Sequence, residues 1–215
     1  RQICNKEKIL LIYDEVISGF RIDIGGAQSV FGVLPDITCF GKGMANGYPL
    51  SALVGKKEVM QLMQDIFFST TFGGDTISLA AAIATIKKMQ RLNTIEKIKI
   101  HGNKLINSMN NIIEDTGVSD FLAISNIDWW PQVLIKQSHV DNRLVDSLFR
   151  QELLRFGLLI GGTLNLCYSH TQTSTFNETT KKFEKALKTF KKKINSDNPK
   201  NFLKGDYVQK TFKVR

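Results

Sequence analysis

Asp14 and Lys42 are the residues whose types and settings could do chemistry. Asp14 lies at the end of an apolar run, Ile9-Leu10-Leu11-Ile12-Tyr13-Asp14-Glu15-Val16, and Lys42 sits in Phe40-Gly41-Lys42-Gly43-Met44. An amine in a glycine-flanked turn can bond a carbonyl carbon as a Schiff base, and a buried carboxylate at a strand end can hold a proton on a ring nitrogen. Pyridoxal phosphate (PLP) chemistry requires that pair of groups. Asp14 alone could equally be a helix cap or turn residue, and Lys42 a surface lysine. A phosphate-binding P-loop fails for Lys42, because Asp36 stands where a glycine is needed and no Ser or Thr follows the lysine. Alternation along a strand puts Asp14 and Val16 on one face and Glu15 on the other.

These groups need elements to position them. Ile9–Tyr13 has strand length, and its nearly continuous apolar character predicts burial on both faces. Asp36–Phe40 reads as a second strand running into the Gly41-Lys42-Gly43 turn, and Leu50–Val54 as a third. Val59, Met60, Met63 and Ile66 predict a helix over Lys56–Ile66, and the alanine-rich stretch Asp75–Met89 a buried helix. That helix continues, with a break near Asn93, to a stop at Gly117. Beyond it, strands are expected over Phe121–Ile127, Pro131–Ile135, Leu158–Ile160 and Leu164–Tyr168, with helices over Val140–Phe156 and Asn177–Ile194. Strands alternating with helices predict an α/β or α+β layer, with a domain boundary near residue 117.

Composition narrows the class. Of 215 residues, 42% are hydrophobic and 23% charged, as in ordinary globular proteins, and no apolar run reaches membrane-span length. Cys4, Cys39 and Cys167 are widely spaced and odd in number, which fits reduced thiols in a cytoplasmic enzyme rather than a disulfide framework or a metal site. The net charge of +9 resides in residues 181–215, with twelve basic and three acidic residues. Lys181, Lys185, Lys188 and Lys192 recur opposite Phe183, Leu187 and Phe190, the pattern of a solvated helix face, and no nucleic-acid motif accompanies them. Thr71, before Phe72-Gly73-Gly74-Asp75, is either part of a helix N-cap region or a hydroxyl for a phosphate. Arg21 could form an ion pair or position an acidic substrate. Gln28 reads as a loop residue, His170 as a structural histidine at a strand end, and Trp129-Trp130 as packing.

Three stretches, Leu11–Arg21, Pro35–Lys42 and Ser69–Asp75, together resemble the class III aminotransferases, the fold-type-I PLP enzymes that include glutamate-1-semialdehyde aminomutase. The order matches, and so does the separation of acid from lysine, 28 residues. The similarity returns at Leu164–Thr171 and at Phe212–Arg215. The resemblance implies an α/β fold-type-I transferase, with residues 1–117 the C-terminal part of the large PLP-binding domain plus a connecting helix, and 118–215 a small α+β C-terminal domain. It implies that Lys42 forms the internal aldimine and moves protons, that Asp14 meets the pyridine nitrogen, and that Val16 packs on the ring. Thr71, with Thr70 beside it, would bind the cofactor phosphate of a neighbouring subunit, hence a homodimer with shared sites acting on a small amino or keto substrate, with neither nucleic acid nor membrane as partner. Family members have roughly twice this length, and their upstream half carries a phosphate loop and a stacking aromatic. The expectation is therefore the C-terminal half of a transaminase or 2,1-aminomutase, the alternative a non-catalytic half-enzyme or partner subunit that needs an upstream half to form a site. Met44-Ala45-Asn46-Gly47 replaces the glycine triplet common in the aminomutases, which leaves room for a transaminase.

Overall fold

In the computed structural model, which describes residues 1–209, the first apolar run becomes a strand only over its last part, β1 (Ile12–Glu15). The Phe212–Arg215 stretch lies outside the described residues. A short helix, α1 (Gln2–Lys6), precedes β1, and α2 (Ala27–Phe31) follows it. β2 (Ile37–Phe40) lies parallel to β1, with Asp14 opposite Cys39 and Glu15 opposite Phe40. β3 (Ala52–Gly55) returns antiparallel to β2, giving the order β1-β2-β3. The predicted helix over Lys56–Ile66 is instead α3 (Lys57–Met60) followed by a 3-10 turn over Gln61–Gln64.

Two long helices follow, α4 (Thr76–Leu92) and α5 (Thr94–Asp115), separated as expected at Asn93, whose φ of 49° is left-handed. Asn is among the few residues that adopt this conformation readily, and it ends the helix there. β4 (Leu122–Ile124) and β5 (Val133–Ile135) form an antiparallel pair, then come α6 (Asn142–Arg155) and α7 (Thr173–Ile194).

The chain divides into two compact units, Arg1–Glu96 and Lys97–Arg215, so the division falls before α5's main span rather than near residue 117. Packing explains the difference. Leu105, Ile106, Met109 and Ile113 of α5 belong to the core of the second unit, with Leu148 and Leu153 of α6 and Leu187 of α7. Within that core Phe149 meets Phe183 and Phe190 edge-on, at 6.3 and 6.1 Å. Glu152 of α6 is 0% exposed; it accepts hydrogen bonds from Lys193 at 2.6 Å and Arg155 at 2.8 Å.

The first unit has a much smaller core, Met44, Ala45 and Ala82, with Phe20, Phe40 and Leu50 against it. Two expectations fail here. β1 is not buried on both faces, since Ile12 is 54% exposed, and α4 buries only Ser78 and Ala82 while Ile77 and Ile83 face outward. Among the described residues this unit has only three strands, and no element covers these side chains. Leu53, Val54 and Phe67 are exposed too, Phe67 at 97%.

In the second unit, Leu158–Ile160 and Leu164–Tyr168 do not form strands. Only an isolated bridge, Gln132 with Thr163, joins this segment to the edge beside β5: the Val133 N–H donates to the Gly162 carbonyl at 3.0 Å and the Leu164 N–H to the Pro131 carbonyl at 2.8 Å. Gly161-Gly162 in the middle of the segment favours a loop over a ladder, and Tyr168–Thr171 closes it as a 3-10 turn. No helix among the described residues is long and apolar enough to cross a membrane.

Candidate active site

Parallel pairing brings the carboxyl ends of β1 and β2 side by side, where α/β sheets place their ligands. Asp14 and Val16 emerge on one side of β1, and Glu15 turns to the other. Glu15 is buried, and both its carboxylate oxygens accept the Ala27 N–H, at 2.9 and 2.8 Å, at the start of α2. Gly26 makes this possible: its φ is 76°, and a Cβ there would lie 2.4 Å from Glu15 Oε1. Glu15 thus anchors the loop that leaves the strand, and Asp14 keeps its place on the opposite face.

At the end of β2, Gly41 lies against Val16, where a Cβ would stand 3.5 Å from Val16 Cγ1. Lys42 follows as the first residue of a 3-10 turn over Lys42–Met44, with a left-handed φ of 38°. Met44 pins the turn from below by packing with Ala45 and Ala82 of α4. The Asp14 carboxylate accepts only the Val16 N–H, at 3.1 Å. Neither Asp14 nor Lys42 makes an ion pair among the described residues, and both are exposed, so the expectation of a buried Asp14 is not met in this chain. The reason is the bare face of the first unit described above.

The amino ends of the same strands are held by Asp36. Its buried carboxylate accepts the Leu11 N–H, and pairs with Lys56 and Arg1, each at 2.7 Å. These three contacts, the backbone bond foremost, hold its carboxyl far below the usual carboxylate range. The clamp fixes where β1 begins against β2, and so where Asp14 and Lys42 end. Sequence reading passed over Asp36, whose partners are remote in the chain. It also passed over the anchoring by Glu15, for which strand alternation was the available signal.

Thr71 is exposed in the turn before α4. The helix cap is Asp75, which accepts the Ser78 N–H at 2.9 Å and the Ser78 hydroxyl, bonds that lower its pKa. The capping alternative for Thr71 is thereby removed. The structure brings together Asp14, Val16 and the Gly41-Lys42 turn, and places α4 under that turn through Ala82. Elsewhere, Gln28 lies in α2 rather than a loop, and Arg21 in a turn with its N–H on the Ser18 carbonyl at 3.1 Å. His170 Nδ1 accepts the Cys167 N–H at 3.1 Å within the 3-10 turn rather than at a strand end. Trp129 stacks on Trp130, whose indole donates to Asn165 at 2.6 Å.

For a pyridoxal group, the residues fit. The Asp14 carboxylate accepts only the Val16 N–H, Asp14 and Lys42 are both exposed without an ion pair among the described residues, and Gly41 sets no side chain against Val16. The fold gives the class first. The structure superimposes on the FumI protein of Sphingopyxis sp. MTA144, described as a PLP internal aldimine form, with a TM-score of 0.81 and 25% identity over 93% of this chain and 47% of that one. It matches the fold of a transaminase with PLP bound equally well, at 0.81 and 21% identity, covering 91% of this chain and 48% of that one. This is the α/β fold of the fold-type-I transaminases.

The family follows from sequence. The model for aminotransferase class-III matches residues 1–122, and the chain belongs to the class III aminotransferases. It is 35% identical over 175 residues to a 3-aminobutyryl-CoA aminotransferase of Cloacimonas acidaminovorans, covering 80% of this chain and 42% of that protein. It is 36% identical over 126 residues to a glutamate-1-semialdehyde 2,1-aminomutase of Legionella pneumophila, covering 57% and 29%. The chain spans less than half the length of these relatives.

Proposed function

We propose that the protein containing this chain is a PLP-dependent cytoplasmic enzyme that moves an amino group, by transamination or by an intramolecular 2,1-shift. The reading draws its support from Asp14 and Lys42, both exposed and without an ion pair among the described residues, at the carboxyl ends of the parallel strands β1 and β2. When bound, PLP supplies an electron sink for the bond electrons released at the α-carbon of an amino substrate. Lys42 would hold it covalently, Asp14 at the ring nitrogen and Val16 against the ring, with Thr71 for the phosphate of a partner subunit in a homodimer. Once the substrate's amino group has replaced it, the freed Lys42 Nζ would take the proton from the substrate α-carbon and give it back, the work of a positioned general base and acid. Asp14, as a carboxylate, keeps a proton at the ring nitrogen.

The test is borohydride reduction of the full-length protein in the presence of PLP, followed by peptide mass spectrometry. The expected product is one reduced cofactor on Lys42. A label on Lys56 or Lys57 with Lys42 unmodified overturns the assignment. A second reading, a half-enzyme that needs another segment to form its site, draws support from the exposed Ile12, Val54 and Phe67. It predicts that the 215-residue chain gains transaminase activity only when combined with that segment.

A further inference from the structure

A cavity lies wholly within the unit that begins at Lys97, and none of its residues belongs to the Asp14–Lys42 constellation. It is a cleft of about 410 Å³ between α5, the first turns of α7 and the segment from Gly157 to Leu166. That volume is within the ordinary range for small-molecule sites. The cleft exists because Leu158–Ile160 and Leu164–Leu166 do not close into a ladder here. Its wall is hydrocarbon and aromatic: Leu105, Met109, Leu158, Ile160, Leu164 and Phe176.

Three observations give the polar end of the cleft a sign. His101 lines it, is 8% exposed, and makes no hydrogen bond; its ring meets only Phe176 edge-on, at 5.8 Å. With no protein partner among the described residues, its ring N–H is left for water or a ligand to satisfy. Burial first, then His170 and Lys104 nearby, lower its pKa, so at pH 7 the ring is neutral and carries one N–H donor. Next, α7 opens at the cleft with no side chain capping it and no acid in its first turn, and Thr175 of that turn lines the cavity. Its free N–H groups and dipole favour an anion. Last, a positive charge stands beside the wall: Lys104 Nζ is 4.3 Å from the ring centroid of Phe176, which lines the cleft. No Asp or Glu lines the cleft.

We propose that this cleft binds a small amphipathic monocarboxylate, its hydrocarbon against Leu105, Met109 and Phe176 and its carboxylate between His101 and the open start of α7. The occupant is anionic at one end because the donors there have no acid to satisfy them. Its hydrocarbon faces Leu105, Met109, Leu158, Ile160, Leu164 and Phe176, with Thr163, Asn165, His170 and Thr179 as the further polar side chains of the lining. The site stands apart from the proposed amino transfer and does not depend on it.

The experiment titrates the 215-residue chain with hexanoate, hexanol and hexylamine, following the three histidine ring resonances by NMR and the heat of binding by calorimetry. Hexanoate should shift the His101 resonance saturably and bind at least about tenfold more tightly than hexanol, the ratio of one charge-assisted hydrogen bond. Hexylamine should bind least. His101→Phe should lose about tenfold in hexanoate affinity with far-UV circular dichroism unchanged, while His101→Gln, which keeps a donor, should bind within about threefold of the parent. No saturable shift by 10 mM hexanoate, equal binding of hexanol, or unweakened binding by His101→Phe overturns the proposal. The comparison of the three probes decides it on the unmodified chain even if a variant fails to fold.

Discussion

Glu152→Ala should be the most damaging single truncation of a charged side chain in the second unit. Glu152 is fully buried, and Lys193, 15% exposed at its side chain, donates to it at 2.6 Å. Arg155, half exposed, and Gln151 complete the shell at 2.8 and 3.0 Å. Removing the carboxylate leaves the Lys193 ammonium buried without an anion, a change that costs about 3–5 kcal/mol. Arg155 can turn to water and adds little. Urea unfolding of the 215-residue chain, followed by circular dichroism, reads the cost. With a slope of about 2 kcal/mol per M, the midpoint of this unit should fall by roughly 1.5–2.5 M. Replacing both partners, Glu152→Met with Lys193→Met, removes the stranded charge and should return the midpoint to within about 0.5 M of the parent. Acid supplies a second reading. Burial pushes the Glu152 carboxyl up, but Lys193, Gln151 and Arg155 outweigh it and leave its pKa below the ordinary value. A depressed carboxylate stabilises the fold above its unfolded pKa and loses that contribution as pH falls through the folded value. The gap between parent and Glu152→Ala should therefore narrow below about pH 4. A Glu152→Ala midpoint within about 0.3 M of the parent, or a double variant as damaged as the single one, refutes the argument.

Two further outcomes follow from the first unit. Asp14→Asn should change the unfolding free energy by no more than about 0.5 kcal/mol, read by urea unfolding, because its carboxylate contacts only the Val16 N–H; in the full-length protein at saturating PLP it should lower turnover by about 10²–10³-fold, and near-normal turnover would count decisively against its role. Asp36, held far below the carboxylate range, should keep the Leu11 amide protected from hydrogen exchange down to pH values where ordinary carboxylates are protonated, the protection failing only as pH drops further. Asp36→Ala should abolish that protection at neutral pH, and an unchanged Leu11 exchange rate in this variant would refute the clamp.

Local chemistry was legible in the sequence where a short motif sufficed. The Gly41-Lys42-Gly43 turn, the break at Asn93 and the stop at Gly117 depend on residues within a few positions of each other, and all three stand in the structure. The end of the second helical span at Gly157 is of the same kind. Burial was not legible in this way. The apolar run around Ile12 and the alanine-rich α4 have the composition of buried elements, yet composition does not say which part of a protein does the burying. Leu158–Tyr168 failed for another reason: its residues have strand character, but Gly161-Gly162 interrupts them, and the pairing beside β5 shrinks to a single bridge at Thr163. At the candidate site, types and order named Asp14, Val16 and Lys42, while the residues that hold them, Glu15, Gly26 and Asp36, needed contacts across the chain.

Lys42 carries its amine on a backbone with φ of 38°, a conformation that costs a side-chain-bearing residue about 1–2 kcal/mol and glycine almost nothing. A population of variants selected for thermal tolerance alone would therefore drift at this position toward glycine or asparagine. Each such replacement relaxes the turn and deletes the amine in a single step. Stability screens applied to this scaffold would discard the group on which the proposed chemistry depends, unless catalysis is selected at the same time.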